Sequence, residues 1–457
     1  MILFTSLSML ALLLFTTSIH AAQDSCALPE PFDADAVYQH VLHVSPDGND
    51  QSGDGSAEAP YRTLSRAARE AEPGTRILLS GGDHIPNQFI ENLAGTESAP
   101  ILITNDSDTP AVFRKGSVSI QLSDCRYVIL ENVVVDSMSG NGINIDDGGS
   151  FDTPTEHLIL RGITVRNTGP TGNRDAIKLS GVDHFRVENC IIDRAGSGGS
   201  GIDMVGCHYG VIAHNVFENI EASGVQAKGG SAHVLIHANE FRSGGSRAIN
   251  MGGSTGLQFF RPQAAPYEAA HISVIANIFA NMDTPVAFVG CENGLFAQNV
   301  VYRPRRWAAR ILQETVGERF VPSRNNIFAN NIVVLDTQVS TLVNVGPNTD
   351  PESFRFVTNL WFHADYPTFR VVNLPGTQIG SVIQEDPLFI NPDEFDFHLQ
   401  AESPAMNRGA ALVDAIGEYD ISIPAVGDWN GECWTNPPGI GAFSRSEPAG
   451  APNWSQH

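Results

Sequence analysis

The chain has 457 residues and a net charge of −24, from 27 Lys and Arg against 51 Asp and Glu. Such acidity argues against nucleic acid as a partner, and no apolar run approaches the roughly 20 residues needed to span a bilayer. Charged residues are only 17% of the chain and Gly numbers 43, which suits a turn-dense β architecture.

The N-terminus carries an apolar run from Met9 to Phe15 and then the small residues Ala21 and Ala22. That pattern predicts a secretory leader over residues 1–22 and a secreted or periplasmic mature chain. A single domain is expected over 23–457, as a monomer. Within it, an N-terminal cap covers about 40–75, coils run from about 76 to 400, and a closing segment occupies about 401–457. The stretch Pro60–Ala71 has helix-spaced apolar residues, with Pro73-Gly74 just after it. It reads as an amphipathic helix covering an open end. Arg76–Ser80 and Pro100–Thr104 follow as the first strands.

The middle of the chain repeats. Segments ending at Asn132, Gly162, Asn189, Asn215, Asn239, Asn277, Asn299, Asn331 and Asn359 align, each an apolar strand closed by Asn or, once, Gly. Repetition at this period predicts a solenoid of stacked coils, an all-β right-handed parallel β-helix. Asn suits the bend because it tolerates the left-handed region and its amides can bond from coil to coil. Two residues on, Val134, Thr164, Ile191, Phe217, Phe241, Phe279, Val301, Val333 and Trp361 predict an interior stack. A second strand in each coil reads Ile143–Ile145, Ile177–Leu179, Ile202–Met204, Val225–Ala227, Ile249–Met251 and Val286–Phe288. Its outer residues face inward and its middle residue outward, so Lys178, Asp203, Gln226 and Asn250 should form one exposed polar row. Lys228, two residues past Gln226, shares that face.

The register constrains the six cysteines. Cys207 and Cys291 stand three coils apart, roughly 14 Å, too far for a disulfide, which needs Cα atoms within about 7 Å. Cys190 reads as a buried inert thiol. The other pairings stay open. His157, His184, His233 and His271 recur just before the repeated strands, a periodicity that favours a structural role.

The segments His43–Asn49, Ala59–Leu64 and Pro73–Ile77 resemble the opening of the secreted pectate-lyase-like β-helix superfamily. Asp386–Asn391, Ser403–Ala405 and Ile440–Phe443 resemble its closing segment. The superfamily holds lyases, epimerases, hydrolases and non-catalytic proteins, so the resemblance implies a fold more sharply than an activity. The stretch Glu221–Lys228, with Arg247 after it, is similar to the site of polysaccharide lyase family 6. That resemblance implies Lys228 as base, Arg247 beside it on the next coil and Glu221 as a Ca²⁺ ligand. Ser223 stands where that family has a second acid.

The residue chemistry fits β-elimination on a uronic-acid polymer. A base removes the proton beside the carboxylate, and a cation stabilises the charge that develops. Asp203 and Glu221 are the preferred Ca²⁺ pair; the alternative has the acids of this region pairing with Lys178 and Arg174. Lys178, Gln226, Asn250, Arg261 and Arg306 are the candidate substrate-binding residues. Arg261 lies in a loop with Phe259 and Phe260 that reads as a cleft wall, and Arg306 in the run Arg303–Arg310. The expected activity is a polysaccharide lyase acting on an anionic polysaccharide. A uronate C5-epimerase and a non-catalytic glycan-binding protein are the alternatives.

Overall fold

Alternating strands of this kind hide one side of each strand and expose the other, and stacking coils is how such strands bury a continuous core. The computed structural model describes residues 26–446, except 151, 170, 196–197 and 371–373; the expected leader lies outside the described residues. Three long parallel sheets of 14, 12 and 10 strands make up the body. A full coil adds one strand to each sheet, and the last coils add none to the third. Arg126–Glu131 joins the first, Val133–Asp136 the second and Ile143–Asp146 the third. The last pair, Phe389–Asn391 and Asp396–Leu399, is antiparallel and stands apart from the stack.

The cap is shorter than the sequence pattern suggested. Helix is confined to Leu64–Ala68, with Thr63 Oγ1 accepting from Arg66 N–H as N-cap and Leu64, Ala67 and Ala68 buried. Pro60 and the bonds of Arg62 and Thr63 N–H to Asp50 Oδ1 hold the preceding residues in a loop.

The bend column divides into two. Glu131, Arg161 and Glu188 align, and Glu188 aligns with Ala213. Asn132, Gly162 and Asn189 therefore share a column with His214 and Ala238, and all five have φ between 50° and 61°. The stacked amides sit one residue later. Asn215, Asn239, Asn277, Asn299, Asn331 and Asn359 are fully buried, and the Nδ2–H of each of the first five donates to the next Oδ1 at 2.9–3.1 Å. The predicted interior column is corrected by the same step. In the early coils Val135, Val165 and Ile192 point inward, while Val134, Thr164 and Ile191 point outward. A one-residue slip moves a strand's whole apolar set to the other face, and the polar Thr164 was the trace of that slip.

Both chain ends run along the outside. Phe32 and Tyr38 pack on Leu102, Ile129 and Ile159 of the first sheet, and Asp33 pairs with Arg161. The closing segment turns back instead of only stopping the coils. Ala415, Ile416, Ile421 and Val426 cover the outer face of the first sheet, and Phe389, Phe397, Ile440 and Phe443 that of the second. The two straps are joined by a disulfide between Cys26 and Cys433, 407 residues apart, with Cα atoms 5.2 Å apart. Cys125, Cys190, Cys207 and Cys291 are free and buried. The four histidines stack with Tyr127 and Tyr209 into one outer ladder, ring centroids 4.4–5.2 Å apart. No helix among the described residues is long and apolar enough to cross a membrane.

Candidate active site

The straps cover the first and second sheets, whereas polar side chains line the outer face of the third. There Lys178, Asp203, Gln226 and Asn250 lie in register on successive coils, as the alternation predicts, and Gln121 and Asn144 extend the row; Asp203 and Asn250 are buried where an exposed row was expected. Ile177, Ile202, Val225 and Ile249 beside them point into the core and hold the register.

Asp203 organises the centre of this row. Its carboxylate is almost fully buried and lies between two ammonium groups. Lys178 Nζ hydrogen-bonds Oδ2, and Lys228 Nζ lies 3.3 Å from Oδ1, close enough for an ion pair but outside hydrogen-bond geometry. Asp175 completes the group. Its Oδ1 accepts from Ser200 N–H at 2.8 Å, and its Oδ2 is 4.0 Å from Lys178 Nζ. Burial, and then the charge of Asp203, raise the Asp175 pKa to about 6 against the pull of Lys178. The sequence carried a signal for this acid in its Asp-x-x-Lys spacing, which brings both side chains to one end of a strand.

Lys178 and Lys228 open onto a cavity of about 610 Å³. Asp147 lines one side, its carboxyl pKa raised by burial against the pull of Arg261. It lies over Gly181, where φ is +67° and a Cβ would fall 2.2 Å from Asp147 Oδ2, so only glycine admits the carboxylate there. The opposite wall is the loop from Gly253 to Glu268. Its anchor, Glu268, is fully buried and was not anticipated. It accepts from Gly229 N–H, Thr255 N–H and Thr255 Oγ1–H at 2.8–2.9 Å, and from Thr315 Oγ1–H. Phe259 is exposed on the cavity side, whereas Phe260 is buried beneath the loop.

Several expected site residues lie elsewhere. Arg247 aligns with Ser223, at the start of the strand that ends in Lys228. Five positions separate the two along the sheet, about 16 Å, so the expected Lys228–Arg247 juxtaposition does not form. Arg247 instead contacts Asn250 and Glu314. Glu221 is exposed in the turn before Ser223, as far from the level of Asp203 as Arg247 is from that of Lys228. The proposed Ca²⁺ pair therefore does not converge, and Asp203 already faces two ammonium groups. Arg261, by contrast, does line the cavity, with its guanidinium turned to Asp183 through two hydrogen bonds of 2.7 Å, and it anchors the loop. Gln226 and Asn250 stay on the row, Asn250 buried and bonded to Gly252 O and Arg247. Arg306 lies further along the face, over Trp307.

The model for the right-handed beta helix region matches residues 101–261, which include Lys178, Asp203 and Lys228. The chain is a right-handed parallel β-helix. The uncharacterized protein YwoF of Bacillus subtilis is 25% identical over 145 residues, covering 29% of this chain and 30% of that protein. Pectate lyase PEL9 of Emericella nidulans is 36% identical over 69 residues, 15% of this chain and 17% of that enzyme. These matches thus span under a third of either relative. Among solved structures, the β-helix matches the complex of XylC with xylose at a TM-score of 0.53 and 11% identity, over 88% of this chain and 98% of that one. That likeness is one of fold.

Proposed function

We propose that this β-helix is an exported carbohydrate-active enzyme, a lyase that cleaves a uronic-acid polysaccharide by β-elimination in the cavity over Lys178, Asp203 and Lys228. The observation that carries the reading is the pair of lysines sharing one buried carboxylate on the floor of an open cavity. Cationic groups gathered on one face of a strongly acidic chain select an anionic polymer. The short match to a pectate lyase supports the substrate class, and the Cys26–Cys433 disulfide supports an oxidising compartment.

The chemistry follows from the two lysines. Lys228 Nζ, after giving one proton to solvent, takes the proton from the carbon beside the uronate carboxylate. The electron pair becomes a carbon–carbon double bond as the bond from the next carbon to the glycosidic oxygen breaks, and that oxygen takes a proton from solvent water. Asp203 faces the ammonium that Lys228 becomes, and so stabilises the product of the transfer. Lys178 takes the role first given to Arg247, a cation set against the substrate carboxylate. Ca²⁺ at Asp203 and Glu221 does not fit this donor geometry, and no step runs through it.

The test is absorbance of unsaturated sugar ends from anionic polysaccharides, with and without a chelator. Lys228→Ala should lower the rate about 10²- to 10⁴-fold, the usual contribution of a general base. Activity should persist in chelator. Unsaturated ends formed equally by Lys228→Ala would overturn the assignment of the base. Inverted uronate without chain cleavage would favour the epimerase alternative, and binding without turnover the non-catalytic one.

A further inference from the structure

The outer face of the third sheet continues beyond the cavity toward the C-terminal coils. In the outward row Asn250 is followed by Ala287 and then Arg310. Ala287 is small and fully buried between its longer neighbours. Three guanidinium groups gather in this region, close enough for the charges of Arg247 and Arg306 to act on Arg310. Arg247 donates to Asn250 Oδ1 at 3.1 Å and reaches past the intervening coil to Glu314 Oε1 at 2.9 Å. Arg306 and Arg310 lie over the same indole, with Cζ atoms 4.1 and 4.9 Å from the Trp307 ring centroid.

The charges do not balance locally. Among the described residues Glu314 is the one carboxylate in ion-pair contact with any of the three, and it serves Arg247. Arg310 Nε is buried without a hydrogen-bond partner. Burial, then the charges of Arg247 and Arg306, lower the Arg310 pKa. Stacking on Trp307 holds two like charges together in a planar, forked arrangement, which suits a carboxylate or a sulfate. An anion set between them relieves their mutual repulsion.

We propose that Arg247, Arg306 and Arg310 form a second anion-binding subsite, which takes a carboxylate or sulfate group of the polysaccharide whose chain lies along the third sheet. The proposal rests on the reading that the cavity holds such a chain, and it adds a length requirement. The Arg310 strand lies three coils from the Lys228 strand, about 14 Å along the axis. A saccharide must span that distance to fill both.

The experiment is calorimetric titration at low ionic strength. The ligands are a hexameric oligogalacturonate, a sulfated oligosaccharide of equal length, and sodium sulfate. Arg306→Ala removes an exposed guanidinium, and Arg310→Gln keeps bulk where Ala could disturb the strand. Each should raise the Kd of the better oligosaccharide about tenfold to a hundredfold, the range for a charge-assisted contact. Arg194→Ala, which removes an exposed charge beside the second sheet, should leave it unchanged. The preferred oligosaccharide identifies the anionic group. Unchanged Kd in both variants overturns the subsite, as does inorganic sulfate binding as tightly as either oligosaccharide. These readouts need no turnover, so a wild-type protein that forms no unsaturated ends would sink the elimination chemistry and still leave the subsite open to the titration.

Discussion

His237 shows how one side chain ties a strap to the coils. It is buried on the first sheet, and its Nε2 lies 3.0 Å from Gly427 O in the closing segment. A neutral ring with Nε2–H donating satisfies that carbonyl and leaves Nδ1 bare. Burial pushes the His237 pKa down to about 4, against the smaller upward pull of the Gly427 carbonyl. The folded value lies below the unfolded one near 6.5, so the neutral form is the one that folding favours. The associated stability is therefore complete above about pH 6.5 and is lost as the pH falls toward 4, by about 3 kcal/mol. His237→Gln keeps a donor for Gly427 O without a titrating ring. Its unfolding midpoint in urea should be less pH-dependent than that of the wild type across this window. Parallel pH profiles for the two proteins would exclude His237 as the group responsible.

The bend shows two uses of the same residue at the level of the strand. Asn132 and Asn189 supply a left-handed backbone, a task that Gly162 performs equally well on the coil between them. From Asn215 onward the amide moves one position and becomes a bonding element. Asn277 illustrates the difference. Its Nδ2 donates to Ile236 O, Ile275 O and Asn299 Oδ1, and its Oδ1 accepts from Asn239. Asn277→Leu leaves several buried polar groups without partners, at about 1–3 kcal/mol each. A loss of at least about 3 kcal/mol is expected in denaturant unfolding. Asn189→Gly keeps the left-handed position open and should cost a few tenths of a kcal/mol, as expected for an exposed site compatible with glycine. A similar cost for both variants would contradict the division of the column.

At the level of the whole molecule, the straps and their disulfide decide which face is available. A parallel β-helix has three outer faces, and the closing segment clothes parts of two with apolar side chains. Joining Cys26 to Cys433 holds the two straps against each other, and a crosslink closing so long a loop stabilises by up to about 5 kcal/mol. The Cys26→Ser/Cys433→Ser variant should keep its coils, because each coil depends chiefly on its neighbours. Limited proteolysis should then cut within residues 26–38 and 410–446 well before the solenoid. Loss of the β-sheet circular dichroism signal at the temperature where the straps become cleavable would instead make the straps part of one cooperative unit.

The repeat, two strands of each coil and the row from Lys178 to Asn250 were legible from residue order, because alternation along a strand fixes which side chains share a face; the third strand of the coil emerged only in the fold. The bend column was only partly legible. Asn serves both as a left-handed residue and as a stacking amide, and a motif built on residue type cannot separate roles one position apart. Contact along the strand lay further out of reach. Lys228 and Arg247 occur on consecutive coils, yet register sets them about 16 Å apart and brings Lys178 to Lys228 through Asp203 instead. The pairing of Cys26 with Cys433 and the anchoring of the cavity loop by Glu268 join residues far apart in the chain. Their partners are chosen by how coils and straps lie against one another, and no local pattern encodes that choice.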